Sequence, residues 1–363
     1  MSKTDSEYRF SILASSSDAT QISSLPIHLT SRKILVIDSI LSGNRIAEKN
    51  FYRDILNPLF VLLDISSDYI ETTSSTSVSD QAHSLQSGTA YLVIIISGDT
   101  SLNEFVNCVR KDSDVAFLTV AQGTGNAFAN SIGLSTGLDT VKSLLLGTYH
   151  NFHLYRSQFD PPGSLIDEED HTIRTVRSLL FFVVGSWCLH STLVADSSSA
   201  EMRRKYGQLR FHKAAESILK QNPDFVGSII THHKDRSFSV IESKTNLSYF
   251  IVTALPRFEP TFLISPNSLP QSHQLHLLYF PHTTPESTME IMNQAYSNGS
   301  HISNPLVRYL AIDSGDFVTL QLDDSITSDS FSKICIDGNI ILMNGKGRTV
   351  TFDCVESNLL YIR

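Results

Sequence analysis

Short apolar runs alternate with amphipathic stretches in the first part of the chain. Three runs have the length and β-branched composition of buried strands: Ile34–Ile37, Tyr91–Ile96 and Val115–Val120. After the second run, apolar residues recur at helical spacing, as on a helix that packs one face on a sheet: Leu102, Phe105, Val106 and Val109. This alternation predicts βαβ units and a largely parallel sheet.

Further helices are expected after the other strands. One runs through Ile46, Phe51, Ile55 and Leu59, and another spans Ala127–Ile132 and ends at Gly133. A last helix, capped by Asp139 or Thr140, stops at Gly147.

The pattern changes near Tyr149, after which strands are short and separated by turn residues. Frequent strands with few helices predict an antiparallel sandwich or barrel, and we take the β-sandwich forward. Two helices interrupt the strands, Phe211–Lys220 and one that opens at Pro285 and closes at Gly299. The polar, acidic segment Gln158–His171 is predicted to be a solvent-exposed hairpin loop.

The expected fold class is therefore α/β plus all-β in two domains. We expect a flexible segment over 1–31, an α/β domain over 32–149 and a β-rich domain over 150–363. Return of the last strand to the first domain is left open.

Composition and charge exclude several classes of function. A net charge of -9 argues against a nucleic-acid partner, so a phosphate-bearing ligand needs a local site. Four widely spaced cysteines argue against a zinc knuckle or a disulfide framework and indicate a reducing compartment. There is no secretory signal pattern, and the most apolar stretch, Ser178–Ala195, is too broken to span a bilayer of about 30 Å. We expect a cytoplasmic protein.

Two glycine motifs follow neighbouring strands of the predicted parallel sheet. They are Ser97–Ser101 after the second strand and Gly123–Asn126 after the third. Open α/β sheets bind ligands at this edge, where glycines let the backbone approach a phosphate and helices present free N–H groups. A tight strand-to-helix turn explains either motif alone, but two on consecutive strands are a stronger indication of a phosphate site.

These residues resemble the diacylglycerol kinase catalytic domain family, and within it the sphingosine and ceramide kinase branch. The family strings G-G-D-G-T-L-N-E-V and P-L-G-T-G-N-A-L-A correspond here to SGDTSLNEFVN from Ser97 and AQGTGNAFANSIGL from Ala121. Glu201–Phe211 is similar to the S-E-x-x-R-x-x-G-x-x-R-F string of the sphingoid branch, and Cys335–Gly338 to its V-D-G-E. Such pieces keep family order from about Lys33 to Arg363.

The resemblance implies the fold and the ligands of each domain. The first would be a nucleotide-binding catalytic domain for ATP and Mg²⁺, and the second would bind the lipid. Backbone at the glycine turns would hold the phosphates, Asn126 would orient the nucleotide, and Arg204 and Arg210 would reach the phosphates. The implied cofactor-binding residues are Ser42, Gly43, Gly98, Thr100, Gly123, Thr124, Gly125, Asn126, Arg204, Arg210 and Asp337.

Carboxylates complete the implied site. Asp99 matches the carboxylate that accepts the proton of the lipid hydroxyl or positions Mg²⁺, although an aspartate after glycine is otherwise most often a helix cap. Asp196 stands for the acidic residue that recognises the lipid head, and an ungapped count places Ser197 there instead. Without the resemblance, the basic residues around Arg204 are equally well explained as a solvated helix edge.

Three departures from the family pattern bear on activity. Asp38 stands in the first phosphate loop, Asp38–Gly43, where it would repel an anion. Thr100 replaces a glycine, which would cost about 1 to 2 kcal/mol if that position required positive φ. Asn339 replaces a glutamate after Asp337-Gly338.

The sequence therefore predicts an ATP-dependent lipid kinase that phosphorylates a hydroxyl of a sphingoid long-chain base or a related lipid. Ceramide and diacylglycerol are alternative substrates. The main alternative function is a catalytically weakened or inactive lipid-binding or regulatory homologue. A soluble NAD kinase is disfavoured because Glu201–Phe211 resembles the lipid branch. We expect transient contact with a membrane surface, while the oligomeric state stays open.

Overall fold

The computed structural model describes residues 2–3, 8–9, 24–40, 42–43, 45, 49–166 and 173–363. Most of the expected N-terminal segment, residues 46–48 of the first expected helix and residues 167–171 of the expected acidic loop lie outside these ranges. The chain divides into two compact units, Met1–Phe152 with Ser357–Arg363, and His153–Glu356.

The strands are numbered in chain order. They are β1 (Ser2–Lys3), β2 (Tyr8–Arg9), β3 (Lys33–Asp38), β4 (Ser67–Glu71), β5 (Ala90–Ser97), β6 (Asp114–Ala121), β7 (Tyr149–Asn151), β8 (Leu154–Ile166), β9 (Ile173–Phe181), β10 (Val184–Cys188), β11 (Phe225–His232), β12 (Phe238–Thr253), β13 (Gln274–Pro281), β14 (Arg308–Asp313), β15 (Phe317–Leu322), β16 (Lys333–Ile336), β17 (Asn339–Leu342), β18 (Thr349–Val355) and β19 (Leu360–Ile362).

The helices are numbered in the same way. They are α1 (Ile27–Thr30), α2 (Asn57–Leu62), α3 (Ser77–Ser84), α4 (Asp99–Cys108), α5 (Ala127–Ser131), α6 (Gly137–Leu146), α7 (Leu189–Ser198), α8 (Ala200–Tyr206), α9 (Arg210–Gln221) and α10 (Pro285–Tyr296). A π-helical segment, Tyr52–Leu56, precedes α2, and short 3-10 turns lie at Gly207–Leu209, Ser300–Ser303 and Asp329–Ser332.

The first unit is built on a mostly parallel sheet with the strand order β4-β3-β5-β6-β19-β7. The three predicted strands are confirmed as β3, β5 and β6, each extending at most one residue beyond the expected ends. Seven of the eight residues of β5 are buried, because β3 and β6 flank it and helices cover the sheet. The last strand, β19, lies parallel to β6 and antiparallel to β7.

The helices of this unit follow the apolar spacing. Leu102, Phe105 and Val106 of α4 are buried, as expected from their helical recurrence. Helix α6 ends at Gly147 as predicted, but its cap is one turn earlier than expected. Thr136 accepts the backbone N–H of Asp139, whose side chain accepts the N–H of Thr136 in return. Asp139 is therefore the third helical residue of a capping box and not the cap.

The second unit closes on itself, so the expected sandwich is wrong. Its strands follow the ring β10-β16-β17-β8-β18-β15-β11-β12, and β12 then pairs back to β10. The 16-residue β12 makes this closure possible, because its first half pairs with β11 and its second half with β10 and β13. The result is a closed antiparallel barrel, the alternative that the strand pattern had left open.

The predicted hairpin loop is largely strand. Residues 158–166 belong to β8, which pairs with β18 up to Asp160 and with β17 from Ser164. The turn-forming residues between them coincide with a register shift against β9, between Gln158 and Gly163. Proline and glycine therefore mark an irregularity inside a long strand, and not the end of the strand.

Large apolar side chains fill this barrel. Trp187, Phe250 and Phe352 are fully buried, and a Cβ added at Gly185 would lie 2.3 Å from the Phe352 ring. Among the described helices of both units, none is long and apolar enough to cross a membrane.

Candidate functional site

Three loops leave the carboxyl ends of β3, β5 and β6 in the first unit. We call residues 42–43, 97–98 and 122–126 the glycine loops. A Cβ added at Gly43 would lie 2.4 Å from the carbonyl oxygen of Gln122, and one added at Gly123 would lie 2.4 Å from the Cα of Gly98. Contacts this short exclude any side chain, so backbone touches backbone at both places. The expected phosphate-binding residues of this unit are therefore brought together.

The third loop is held in shape by its own side chains. Asn126 adopts the left-handed conformation, with φ 53°. Its Oδ1 accepts the N–H of Gly123 at 2.7 Å and its Nδ2 donates to the Gly123 carbonyl at 2.9 Å. Asn130 donates to the Gly125 carbonyl at 2.8 Å. The Asn126 amide thus fixes the loop around exposed Thr124, and its expected role in orienting a nucleotide stays a prediction.

Asp99, the expected catalytic residue, joins the second loop to the third. Its carboxylate accepts the backbone N–H groups of Ala127 at 2.6 Å and Phe128 at 3.0 Å, and so caps α5. Burial raises the pKa of Asp99, and these two hydrogen bonds oppose that rise. A carboxylate offers about four lone-pair directions, so this engagement leaves room for a further donor.

Thr100 occupies an ordinary helical position. It lies in the first turn of α4, it is exposed, and it is not among the residues with positive φ. The expected penalty for a β-branched residue at this position therefore does not arise. No side chain caps the start of α4 at Gly98, so the first turn presents backbone N–H groups beside the glycine loops.

Asp38 is neutralised, contrary to the expectation that it would repel an anion. Its carboxylate is fully buried and paired with both terminal nitrogens of Arg45, whose Nη2 lies 3.1 Å from Oδ2. Tyr69 donates to the same carboxylate at 2.9 Å and Asn50 at 3.3 Å. Arg45 also donates to the Ser39 carbonyl at 3.0 Å. Sequence reasoning missed Arg45, and the one available indication was a cation seven residues after Asp38 in a glycine-containing loop.

Asp337, in the second unit, is engaged by backbone. Its buried carboxylate accepts three N–H groups, from Phe182 at 2.8 Å, Val183 at 3.1 Å and Val184 at 2.7 Å. Its own N–H donates to the carbonyl of Val184. Asp337 and Gly338 both have positive φ, 46° and 89°, and join β16 to β17. The geometry is that of a two-residue hairpin turn held by its aspartate.

The remaining expected residues of the second unit lie on α7, α8 and α9. Arg204 is exposed on α8. Arg210 begins α9, where it donates to the Gly207 carbonyl at 2.9 Å and lies over the Phe211 ring at 4.4 Å. Asp196 lies on the exposed side of α7, where partial burial raises its pKa and Lys333 opposes the rise. Ser197 is buried and donates to the Val194 carbonyl.

The described residues contain no cluster of three His, Cys, Asp or Glu side chains that could hold a metal ion. Carboxylates near the glycine loops are Asp38 and Asp99, and both already accept hydrogen bonds.

Comparison with known proteins identifies the domain that carries the glycine loops. Residues 33–156 match the diacylglycerol kinase catalytic domain, so the expected family is confirmed for this part of the chain. This match supports a kinase, and it does not reach the narrower sphingosine and ceramide branch. No curated protein matches the chain in sequence.

Solved structures show the same fold over both units. One diacylglycerol kinase from Bacillus anthracis str. Sterne has a TM-score of 0.55 at 10% identity, with coverage of 91% of this chain and 96% of that one. Two further structures from this organism, assigned provisionally to the same enzyme class, have TM-scores of 0.60 and 0.61 at 12% and 13% identity, with the same coverage. At such identities the likeness concerns the fold alone.

Proposed function

We propose that this protein is a lipid kinase that transfers a phosphoryl group from ATP to a hydroxyl of a sphingoid base or a related lipid. The observation that carries the proposal is the convergence of the three glycine loops at one edge of the parallel sheet. The match of residues 33–156 to a kinase domain supports the reaction class. The sphingoid substrate is supported only by the resemblance of Glu201–Phe211 to that branch.

The glycine loops fit the phosphates of a nucleotide. Backbone packs on backbone where Gly98 meets Gly123 and where Gly43 meets Gln122, and all four residues are exposed or partly exposed. The uncapped start of α4 adds N–H groups and the positive end of a helix dipole. Arg45 compensates the carboxylate charge of Asp38, which would otherwise oppose an anion at the first loop.

Bound ATP supplies the phosphoryl group, and Mg²⁺ neutralises charge on its phosphates. With few carboxylates at the glycine loops, the ion would be held mainly by the phosphates themselves, and Asp99 is the side chain of this unit best placed to assist. Arg204 and Arg210 are proposed to add positive charge from the second unit. The chain's own contribution is therefore chiefly positioning and electrostatics, which is what phosphoryl transfer requires.

Asp99 is proposed to take up the proton of the substrate hydroxyl. Burial makes it a stronger base than a free aspartate, since its pKa is raised. The two backbone hydrogen bonds fix the direction of the carboxylate at the junction of the second and third glycine loops. We also propose that Asp196 recognises the polar head of the lipid. A cytoplasmic location with transient membrane contact is part of the same proposal.

A second candidate is a lipid-binding or regulatory homologue without turnover. It is favoured by the engagement of Asp99 and Asp337, whose carboxylates hold backbone N–H groups of neighbouring segments. If Asp99 and Asp337 serve only to accept these hydrogen bonds, the protein binds nucleotide and lipid but transfers no phosphoryl group.

The test is a phosphorylation assay with labelled ATP, Mg²⁺ and a panel of sphingoid bases, ceramide and diacylglycerol. We expect product with a sphingoid base, and a fall of about a hundredfold or more for Asp99→Asn. Because this substitution also alters the cap of α5, Asn130→Ala serves as the matched control. It removes one hydrogen bond from the same loop without touching a carboxylate, and should change the rate by about tenfold at most.

Nucleotide binding by the wild type without any lipid product would establish the second candidate. Equal product from wild type and Asp99→Asn would remove Asp99 from the mechanism.

A further inference from the structure

A small cavity lies beside Asp99 in the first unit. It is lined by the carboxyl ends of β5 and β6 and by the first turns of α4 and α5, and Asp99 is one of its wall residues. Ala121 and Ala129, which also line it, have short side chains and so leave space between the strands and the helices. The cavity offers about 10 Å³ to the centre of a water molecule, which is enough for one water.

Thr119 of β6 lines the same cavity. The residue is 8% exposed, and its Oγ1 is buried without a hydrogen-bond partner among the residues that the structure describes. A buried hydroxyl without a partner is costly, and nearly all buried polar groups in proteins are paired with protein atoms or with ordered water. The Thr119 hydroxyl therefore needs a partner, and the cavity beside it is the place where that partner fits.

Two other wall residues of the cavity can accept a further hydrogen bond. Each carboxylate oxygen of Asp99 accepts one backbone N–H, Oδ2 from Ala127 and Oδ1 from Phe128. A carboxylate oxygen has two lone pairs, so each can accept one more hydrogen bond. Ser97 Oγ donates to the Gly98 carbonyl at 2.8 Å and keeps its own capacity to accept. The walls thus combine one donor, the Thr119 hydroxyl, with acceptors on Asp99 and Ser97.

We propose that one ordered water links the Thr119 hydroxyl to the Asp99 carboxylate, and that Thr119 is thereby a positioning residue for the proposed base. The water accepts the O–H of Thr119, donates one hydrogen to Asp99 and donates the other to Ser97 Oγ. Three partners are the usual number for a buried water. The role of Asp99 as base rests on the proposed function, whereas the link itself does not.

The link favours the ionised form of Asp99. Burial raises the pKa of this carboxyl, and the N–H groups of Phe128 and Ala127 oppose the rise. A water that donates to the carboxylate adds a third hydrogen bond to the charged form and opposes the rise further. Asp99 is thus ionised, and able to accept a proton, at a lower pH than burial and the two N–H groups alone would allow.

Titration of Asp99 by carboxyl ¹³C NMR in the purified full chain tests the link without any turnover. Thr119→Val keeps the shape of the side chain and removes the hydroxyl, so it should raise the pKa of Asp99 by about 1 pH unit. Thr119→Ser restores a hydroxyl and should return the pKa close to the wild-type value. Thr140→Val is the matched control, because Thr140 is buried in the same unit and its hydroxyl donates to the carbonyls of Thr119 and Thr136. It should leave the pKa of Asp99 unchanged.

Three results would overturn the link. The first is an equal pKa of Asp99 in wild type and Thr119→Val. The second is a serine variant that titrates like the valine variant, because the effect would then belong to packing and not to the hydroxyl. The third comes from a high-resolution crystal structure of the wild type. A water within hydrogen-bond distance of Thr119 Oγ1 and the Asp99 carboxylate supports the link, and a dry cavity contradicts it.

The pH dependence of sphingoid-base phosphorylation separates this link from the proposed function. If Asp99 is the base, the acid limb of kcat/KM should move to higher pH in Thr119→Val by the same amount as the pKa of Asp99, while the plateau at higher pH changes little. A raised pKa in a protein that phosphorylates no lipid leaves the link standing and rejects the proposed function alone. An unchanged pKa in an active kinase rejects the link and leaves the proposed function standing.

Discussion

The two units each contain aspartates beside glycines, yet they use them differently. In the first unit, Gly43, Gly98 and Gly123 come from three separate loops whose backbones touch. In the second unit, Asp337-Gly338 forms the turn of a single hairpin. The Asp337 carboxylate accepts hydrogen bonds from three backbone N–H groups. Both motifs looked like parts of one ligand site in the sequence. Under the proposed function, a glycine motif serves a ligand where other loops meet it and serves the fold where it forms a turn alone.

The two units also differ in how they compensate a buried aspartate. In the first unit Arg45 compensates the charge of Asp38, the last residue of β3. The second unit uses Asp337 to satisfy N–H groups that would otherwise lack acceptors, and no cation is needed for that. The predictions that follow test whether the first arrangement serves a ligand and the second serves the fold.

The largest effect is expected from breaking the Asp38–Arg45 pair. Arg45→Gln leaves a buried carboxylate without its cation and should lower the free energy of unfolding by about 3 to 5 kcal/mol. It should also weaken ATP binding, because the uncompensated charge repels phosphate. The double variant Asp38→Asn with Arg45→Gln should regain most of the stability and the affinity. Urea unfolding and ATP titration measure both quantities, and an affinity that stays lost in the double variant would mean that Arg45 contacts the nucleotide itself.

Gly123→Ala should be the next most damaging change. Its Cβ would lie 2.4 Å from the Cα of Gly98, and backbone on both sides cannot rotate away. We expect a loss of about 3 kcal/mol in the free energy of unfolding together with loss of ATP binding. Gly88→Ala is the control, because Gly88, in the same unit, has no neighbour within 4 Å of the added Cβ although its φ is 75°. It should cost about 1 kcal/mol and leave the glycine loops intact. Equal ATP affinity in wild type and Gly123→Ala would separate the loops from the nucleotide.

Asp337→Asn tests the second arrangement. Asparagine tolerates the positive φ of this position, but its one acceptor oxygen cannot serve three N–H groups. The free energy of unfolding should fall by about 2 kcal/mol, while the dissociation constant for ATP, measured well below the melting temperature, stays unchanged. A raised dissociation constant with unchanged stability would make Asp337 a ligand of the nucleotide.

The smallest effect is a dependence of stability on pH in the second unit. His190 accepts or shares a hydrogen bond with Ser186 Oγ at 2.7 Å, and burial lowers its pKa from 6.5 to about 4. The unfolded chain therefore binds a proton between these values and the folded chain does not, so stability falls as pH drops from about 6.5 to about 4. Between pH 7 and pH 5, His190 should lower the free energy of unfolding by about 1 to 2 kcal/mol.

His190→Gln removes that contribution. Urea unfolding at the two pH values should show a smaller acid-induced loss in the variant than in the wild type. An identical loss would mean that other histidines carry the dependence.

Most of the first unit could be predicted from the sequence because its information is local. Buried parallel strands are apolar along their whole length, and β3, β5 and β6 were found to within one residue at each end. In the second unit, helix α9 was equally predictable, since the expected Phe211–Lys220 is observed as Arg210–Gln221. The glycine loops followed from strand order, because parallel strands bring their carboxyl ends to one edge.

The features that could not be predicted depend on contacts between residues far apart in the sequence. The barrel closes because β12 pairs with β10. The alternation of apolar residues shows which face of a strand is buried, but it does not show which strand pairs with which. The sequence predicts a loop over Gln158–His171, whereas residues up to Ile166 are strand, because proline and glycine hide the pairing with β17 and β18. The partner of Asp38 was missed for a related reason, since an arginine in a loop shows its direction only when the loop is folded.

Hydrogen–deuterium exchange with and without ATP and Mg²⁺ tests the central claim most directly. If the glycine loops hold the phosphates, peptides that cover residues 42–45, 97–101 and 122–128 should become protected together on ATP addition. The peptide that covers the Asp337 turn should exchange unchanged. Protection confined to other segments, or none at a concentration of ATP that supports turnover, would contradict the assignment of these three loops to the nucleotide.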